Sequence, residues 1–151
     1  MISRILWVAA VAASLHGCTR SAPEAPRVEY LPMTAGATLP FSAAVRVGST
    51  LYLSGQLGTD STLALVPGGI GPETRQALEN IRDIVTRAGG SMDRIVKCTV
   101  MLADMAEWGA MNAEYVTFFP ERKPARSALG ASGLALNARV EIECIAALEA
   151  V

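Results

Sequence analysis

Two carboxylates and one guanidinium stand near the end of the chain, in runs that are otherwise mostly apolar. Glu141 and Glu143 occur in the run VEIECIAAL, whose alternation predicts a strand with both carboxylates on one face, about 7 Å apart. A carboxylate on such a strand loses water, so its pKa tends to rise unless it is paired. Arg126, on the preceding predicted strand, is an available partner. The pattern fits a functional site and a structural ion pair equally well.

The remaining residue types exclude several common sites. The only histidine is His16, which lies in a predicted leader, so a Ser-His-Asp triad, a Cys-His pair and a histidine metal site are not expected in the domain. Cys98 and Cys144 each lie in a strand-like run. We expect two buried free thiols, although a disulfide bond is also possible.

Charge argues against a nucleic-acid partner. The formal net charge of the whole chain is −1, and no basic cluster is interleaved with aromatic residues. Nucleic-acid binding depends on a concentrated positive surface, so we expect no such binding and no ribonuclease activity.

Periodicity predicts the elements that must position these residues. Alternating apolar and polar residues predict five strands, at 43–47, 51–53, 94–103, 125–131 and 139–147. Apolar residues at helical spacing predict a helix over 72–88, ended by Gly89-Gly90, and a second helix from a cap at Asp104 to the residue before Pro120. The apolar stripe of the second helix is expected in the core and consists of Trp108, Met111, Tyr115 and Phe118.

The order of these elements, β-β-α-β-α-β-β, predicts an α+β domain with a single mixed sheet and both helices packed on one face. The other face of the sheet then needs a cover. In so small a domain a partner subunit is the natural one.

The first residues resemble a bacterial lipoprotein signal. Arg4 precedes the apolar run 5–15, which is too short to span a membrane, and a small residue precedes Cys18. We therefore expect a signal peptide at 1–17, a lipidated cysteine and tether at 18–28, and one domain at 29–151. The expected protein is a periplasmic lipoprotein of the cell envelope, attached to a membrane through Cys18 only. An ordinary signal peptide, cut elsewhere, is the alternative.

Six segments of the domain resemble the landmark segments of the reactive-intermediate deaminase (Rid, formerly YjgF) family. They occur in the family's order and are LPFS at 39–42, LSGQ at 53–56, TRQALEN at 74–80, MNAEY at 111–115, PARS at 124–127 and VEIE at 140–143. No single segment is diagnostic, but the set is specific. The resemblance implies a fold like that of the small trimeric chorismate mutase, and a homotrimer with pockets between adjacent subunits.

The resemblance also implies an activity: hydrolysis of small 2-imino acids, or their enamine tautomers, to 2-keto acids and ammonia, without a metal or organic cofactor. Arg126 matches the arginine that binds the substrate carboxylate, and Glu141 matches the carboxylate that positions water. The resemblance gives binding roles to Ser54 and Gly55 as pocket wall, to Asn112 as a neighbouring polar group, and to the backbone carbonyl of Ala128. Glu143 is expected either to support the site without contacting substrate or to have a structural role.

The chain departs from the family pattern at Phe41, where many active members carry tyrosine. A hydroxyl able to contact substrate is therefore missing, which bears on substrate choice and activity. This substitution and the predicted export leave a second hypothesis open, a non-catalytic envelope trimer that binds small carboxylates or acts as a chaperone. Between the two, we favour the enzyme.

Overall fold

A computed structural model describes residues 25–33 and 39–149. The predicted leader and Cys18 lie outside the described residues. Within those residues, no helix is long and apolar enough to cross a membrane.

One seven-stranded sheet forms the body of the chain. Its strands are β1 (Val28–Leu31), β2 (Ala44–Val47), β3 (Thr50–Leu53), β4 (Gln56–Leu57), β5 (Ile95–Leu102), β6 (Ala125–Gly130) and β7 (Val140–Ala147). The strand order is β1-β2-β3-β7-β5-β6, and the short β4 also pairs with β7. Only β5 and β6 are parallel. The predicted mixed sheet is confirmed, with β1 and β4 as strands that the sequence analysis did not assign.

Two helices cover one face of this sheet. Helix α1 spans Ile70–Arg87, and Gly89 after it has a φ of +81°, the left-handed conformation that ends helices. Helix α2 spans Trp108–Phe118 and follows a short 3₁₀ turn. The Asp104 carboxylate accepts a hydrogen bond of 2.8 Å from the backbone N–H of Ala106, so it caps the 3₁₀ turn that leads into α2 and not α2 itself.

The two faces of the sheet differ in what lies on them. On the covered face, strand β7 presents four buried residues to the helices: Val140, Ile142, Cys144 and Ala146. On the open face, the same strand presents Glu141, Glu143 and Ile145. Strand pairing carries this division across the sheet, because residues directly opposite each other point the same way. The fold class predicted from the sequence, α+β with both helices on one face, is thus confirmed.

Cys98 and Cys144 form a disulfide bond, contrary to the expected free thiols. They face each other directly on the antiparallel strands β5 and β7, with their Cα atoms 4.1 Å apart and both side chains buried. The sequence showed two strand-like runs but not how they align. The register places the two sulfur atoms together.

Candidate functional site

Arg126 lies on the covered face of the edge strand β6, beneath the first turns of α2. Its guanidinium carbon is 4.6 Å from the centre of the Tyr115 ring and 5.9 Å from that of Trp108. Nη1 is 4.0 Å from the sulfur of Met111. Among the described residues no carboxylate pairs with this half-buried guanidinium. Aromatic faces stabilise the cation without occupying its hydrogen-bond donors, so the donors are available to an anion.

Two polar atoms on α2 lack both a hydrogen bond and an ion pair. Within the described chain, the Tyr115 hydroxyl and Oδ1 of Asn112 are buried without a hydrogen bond. Burial raises the pKa of Tyr115 to about 12, although the positive charge of the nearby Arg126 acts in the opposite direction. The tyrosine therefore stays protonated at neutral pH. Buried polar groups normally find a partner, so these two atoms are places where a ligand or a second chain can supply one.

Glu141 lies on the open face, opposite Met101 of β5 and Leu57 of β4. Gly55 stands against its carboxylate, and a Cβ at that position would collide with Oε1 of Glu141. Glycine therefore lets the Glu141 side chain keep this position, which any larger residue would force it to leave. Loss of water raises the pKa of Glu141, and the negative charge of Glu143 raises it further. A carboxylate with a raised pKa suits proton transfer near neutral pH.

Ser54 connects this carboxylate region to the segment that carries Phe41. The Ser54 hydroxyl donates a hydrogen bond of 2.7 Å to the carbonyl oxygen of Ser42. Phe41, next to Ser42, is 50% exposed. Glu141, Gly55, Ser54 and the Phe41 segment thus form one group, which we call the carboxylate half-site.

The other predicted residues form a second group, the guanidinium half-site. It contains Arg126 and Ala128 on the covered face of β6 and Asn112 on α2. Trp108 and Tyr115 belong to it as well, and the sequence analysis missed both because it placed them in a core stripe. Trp108 is in fact 44% exposed, at the first residue of α2. The helical spacing of Trp108 and Tyr115 from Asn112, four residues before it and three after it, could have placed both on the same side of α2 as Asn112.

One chain does not bring the two half-sites together. Arg126 is in register with Cys98 and Cys144, whose side chains point into the core, whereas Glu141 is three residues from Cys144 on the same strand. The two side chains therefore leave the sheet on opposite faces. Strand β5 also lies between β6 and β7. Two concave surfaces of about 870 and 500 Å³ are lined by other residues.

No group of three or more metal-ligating side chains occurs in the described part of the chain. The chemistry available to the two half-sites is therefore that of a guanidinium, a carboxylate, a phenol and backbone groups.

Comparisons with known proteins agree with the fold. A family model described as Endoribonuclease L-PSP matches residues 33–148. The chain is 47% identical to mouse 2-iminobutanoate/2-iminopropanoate deaminase over 108 residues, which are 71% of this chain and 80% of the mouse protein. Two crystal structures are similar to the fold of this chain, each with a TM-score of 0.71. RidA of a Psychrobacter species is 35% identical over 83% of this chain, and Escherichia coli TdcF with bound serine is 29% identical over 84%, each matched in full.

The relatives contradict the predicted periplasmic lipoprotein. Proteins similar in sequence to this domain come from mammals, an archaeon and a plant, and the name of the plant protein describes it as chloroplastic. A short apolar run before a cysteine was too weak a signal to set the location. The family match and the relatives above 40% identity lead to the conclusion that this chain belongs to the reactive-intermediate deaminase (Rid) family.

Proposed function

We propose that the protein hydrolyses small 2-imino acids, or their enamine tautomers, to 2-keto acids and ammonia. The observation that carries this proposal is the state of Arg126: a half-buried guanidinium, held over two aromatic rings, with no carboxylate partner in the described chain. Such a group is suited to a small carboxylate from outside the chain. Relatives named 2-iminobutanoate/2-iminopropanoate deaminase indicate which carboxylates these are.

Arg126 is the proposed substrate anchor. Its planar guanidinium can donate two parallel hydrogen bonds to a carboxylate, which the point charge of a lysine does not reproduce. Nearby, Asn112 and the carbonyl of Ala128 are proposed to bind the polar end of the substrate and the attacking water. The partnerless Oδ1 of Asn112 supports this assignment.

The complete pocket is proposed to form between two copies of the chain in a homotrimer. Arg126 of one copy and Glu141 of its neighbour would face one cleft, because a single copy holds them on opposite faces. The open face supplies the reason to associate. Tyr30, Tyr52 and Leu129 on it are 71%, 49% and 45% exposed. Exposed apolar surface of this kind is typical of an interface.

Glu141 is the proposed base. As water attacks the imine carbon, a carbon–oxygen bond forms, the C=N electron pair moves to nitrogen, and Glu141 takes a proton from the water. The proton returns to nitrogen to give a carbinolamine. Glu141 then moves the hydroxyl proton to nitrogen as the carbon–nitrogen bond breaks, so that ammonia leaves and the carbon–oxygen bond becomes the keto group. General acid–base assistance of this kind contributes about 10² to 10⁴ in rate. No cofactor enters this sequence.

Phe41, Ser54 and Gly55 are the proposed wall beside Glu141. Gly55 allows the carboxylate to approach, and Ser54 holds the segment that carries Phe41. Phe41 offers a half-exposed apolar ring without a hydroxyl. This absence supports the second candidate, a non-catalytic binder of small carboxylates or a chaperone-like trimer.

One assay separates the two candidates. An amino-acid oxidase generates 2-iminopropanoate or 2-iminobutanoate, and the decay of the imine is followed with wild type, Arg126→Ala and Arg126→Lys. We expect wild type to accelerate decay, Arg126→Ala to abolish the acceleration, and Arg126→Lys to recover only a minor part of it. A wild-type protein that leaves the decay rate unchanged rejects the deaminase. If that protein binds 2-ketobutanoate, and Arg126→Ala does not, the binder is the correct function.

A further inference from the structure

Glu73 is a buried carboxylate that the proposed reaction does not use. It lies in the first turn of α1, is 6% exposed and forms no ion pair with another described residue. Its Oε2 accepts a hydrogen bond of 2.8 Å from the backbone N–H of Arg139. Burial of a carboxylate is unfavourable unless hydrogen bonds compensate for the lost water, so this contact constrains both partners.

The contact fixes the peptide that leads into β7. Arg139 directly precedes the strand and stands two residues before Glu141. Its carbonyl oxygen accepts a hydrogen bond of 3.0 Å from the N–H of Ala103, at the end of β5. The start of β7 is thus held from one side by the sheet and from the other by Glu73.

Glu73 also lies against β4, the second strand that borders Glu141. A Cβ on Gly58 would come within 2.5 Å of the Cα atom of Glu73, so the end of β4 packs directly on the backbone of α1. Within β4, Leu57 pairs with Glu141. Gly55, just before β4, abuts the Glu141 carboxylate. The start of β7 and the end of β4 are the two backbone segments that position the Glu141 carboxylate, and both contact Glu73.

We propose that Glu73 is a positioning residue for Glu141. It acts through an acceptor oxygen directed at the N–H of Arg139, and this role requires the oxygen but not the charge. Glutamine keeps an oxygen at the same place, whereas leucine has a similar volume and no acceptor. This inference rests on the proposed function, since it assigns Glu73 to the same reaction.

The test compares Glu73→Leu with Glu73→Gln in the imine assay, in wild-type and Glu141→Gln backgrounds. We expect Glu73→Leu to lower kcat about 10- to 100-fold, as for a small displacement of a reacting group, with KM changed by less than about threefold. Glu73→Gln should keep kcat within about threefold of wild type. In the Glu141→Gln background, Glu73→Leu should lower the residual rate by no more than about twofold. Arg139→Ala is the control, because it removes the side chain that pairs with Glu107 but keeps the backbone N–H.

Thermal melting and binding of 2-ketobutanoate show whether Glu73→Leu is folded. A merely structural role would lower activity by the same factor in both backgrounds, and that result overturns the inference. So does a Glu73→Leu protein as active as wild type, or a Glu73→Gln protein as impaired as Glu73→Leu. A wild type without activity rejects the proposed function, and the inference with it.

Discussion

The covered and open faces of the sheet contrast in how complete they are. On the covered face, α1 and α2 bury the apolar residues of β5 and β7, and a disulfide bond joins those strands. On the open face, tyrosine and leucine side chains remain about half exposed or more. The described residues of a single chain therefore complete a hydrophobic core but leave one side of the sheet uncovered. In this protein the fold is finished within one copy, whereas the proposed site is not.

The two site residues differ in the same way. Arg126, on the covered side, has its charge stabilised by the rings of Tyr115 and Trp108. Glu141, on the open side, has its charge disfavoured by loss of water and by Glu143. These environments fit the proposed roles, in which Arg126 binds an anion and Glu141 accepts a proton.

The largest effect is expected at the open face. Glu141→Gln removes the proposed base, so kcat should fall by about 10² to 10⁴. The matched variant Glu143→Gln keeps the base and removes its negative neighbour, so the pKa of Glu141 should fall and the acidic limb of the kcat–pH profile should move to lower pH. Steady-state rates between pH 5 and 9 measure both. Equal losses in the two variants would remove Glu141 from its assigned role.

On the covered face, removal of the disulfide should affect stability and spare activity. The bond closes a loop with a sequence separation of 46 residues. Constraint of the unfolded chain by a loop of this size contributes about 3 to 4 kcal/mol, so Cys98→Ala/Cys144→Ala should lower the free energy of unfolding by up to that amount. Urea unfolding of wild type, with and without reductant, provides the comparison. If reductant leaves the wild-type midpoint unchanged, the bond is absent in solution.

The smallest effect links the pH dependence of stability to Glu141. Its pKa is raised in the folded state, so protonation favours folding: the stabilisation is complete below the unfolded pKa and is lost as the pH rises through the folded one. Glu141→Gln should therefore have a higher Tm than wild type at pH 8 and the same Tm near pH 4. Melting curves at the two pH values test the sign. If Glu141→Gln has a lower Tm than wild type at pH 8, a partner stabilises the charged Glu141 carboxylate instead.

Much of the fold follows from patterns within single segments. The alternation in β7 predicted which residues share a face, and Asp104 and Gly89 marked helix ends because their roles are local. What the sequence did not show depends on distant segments. The pairing of Cys98 with Cys144 needs the register of β5 against β7. The two-residue β4 is too short to give a periodic signal.

The same distinction between local patterns and long-range arrangement applies to the candidate site. Arg126 and Glu141 were predicted as site residues from residue type and resemblance, but the neighbouring positions of their strands in sequence order suggested adjacent strands. The parallel crossover through α2 instead inserts β5 between them. The exposure of Trp108 was likewise not predictable from helical spacing, because spacing defines a stripe but not where the sheet beneath it ends.

The central claim is that a working site takes its guanidinium and its carboxylate from different copies of the chain, and mixed oligomers test it most directly. Arg126→Ala and Glu141→Gln are each purified, then unfolded together and refolded in equal amounts, with mass spectrometry to verify mixed assemblies. If each site joins two copies, random assortment restores about one-quarter of wild-type activity, since about one interface in four pairs an intact arginine with an intact glutamate. Mixed oligomers with no more activity than the separate variants would contradict the claim.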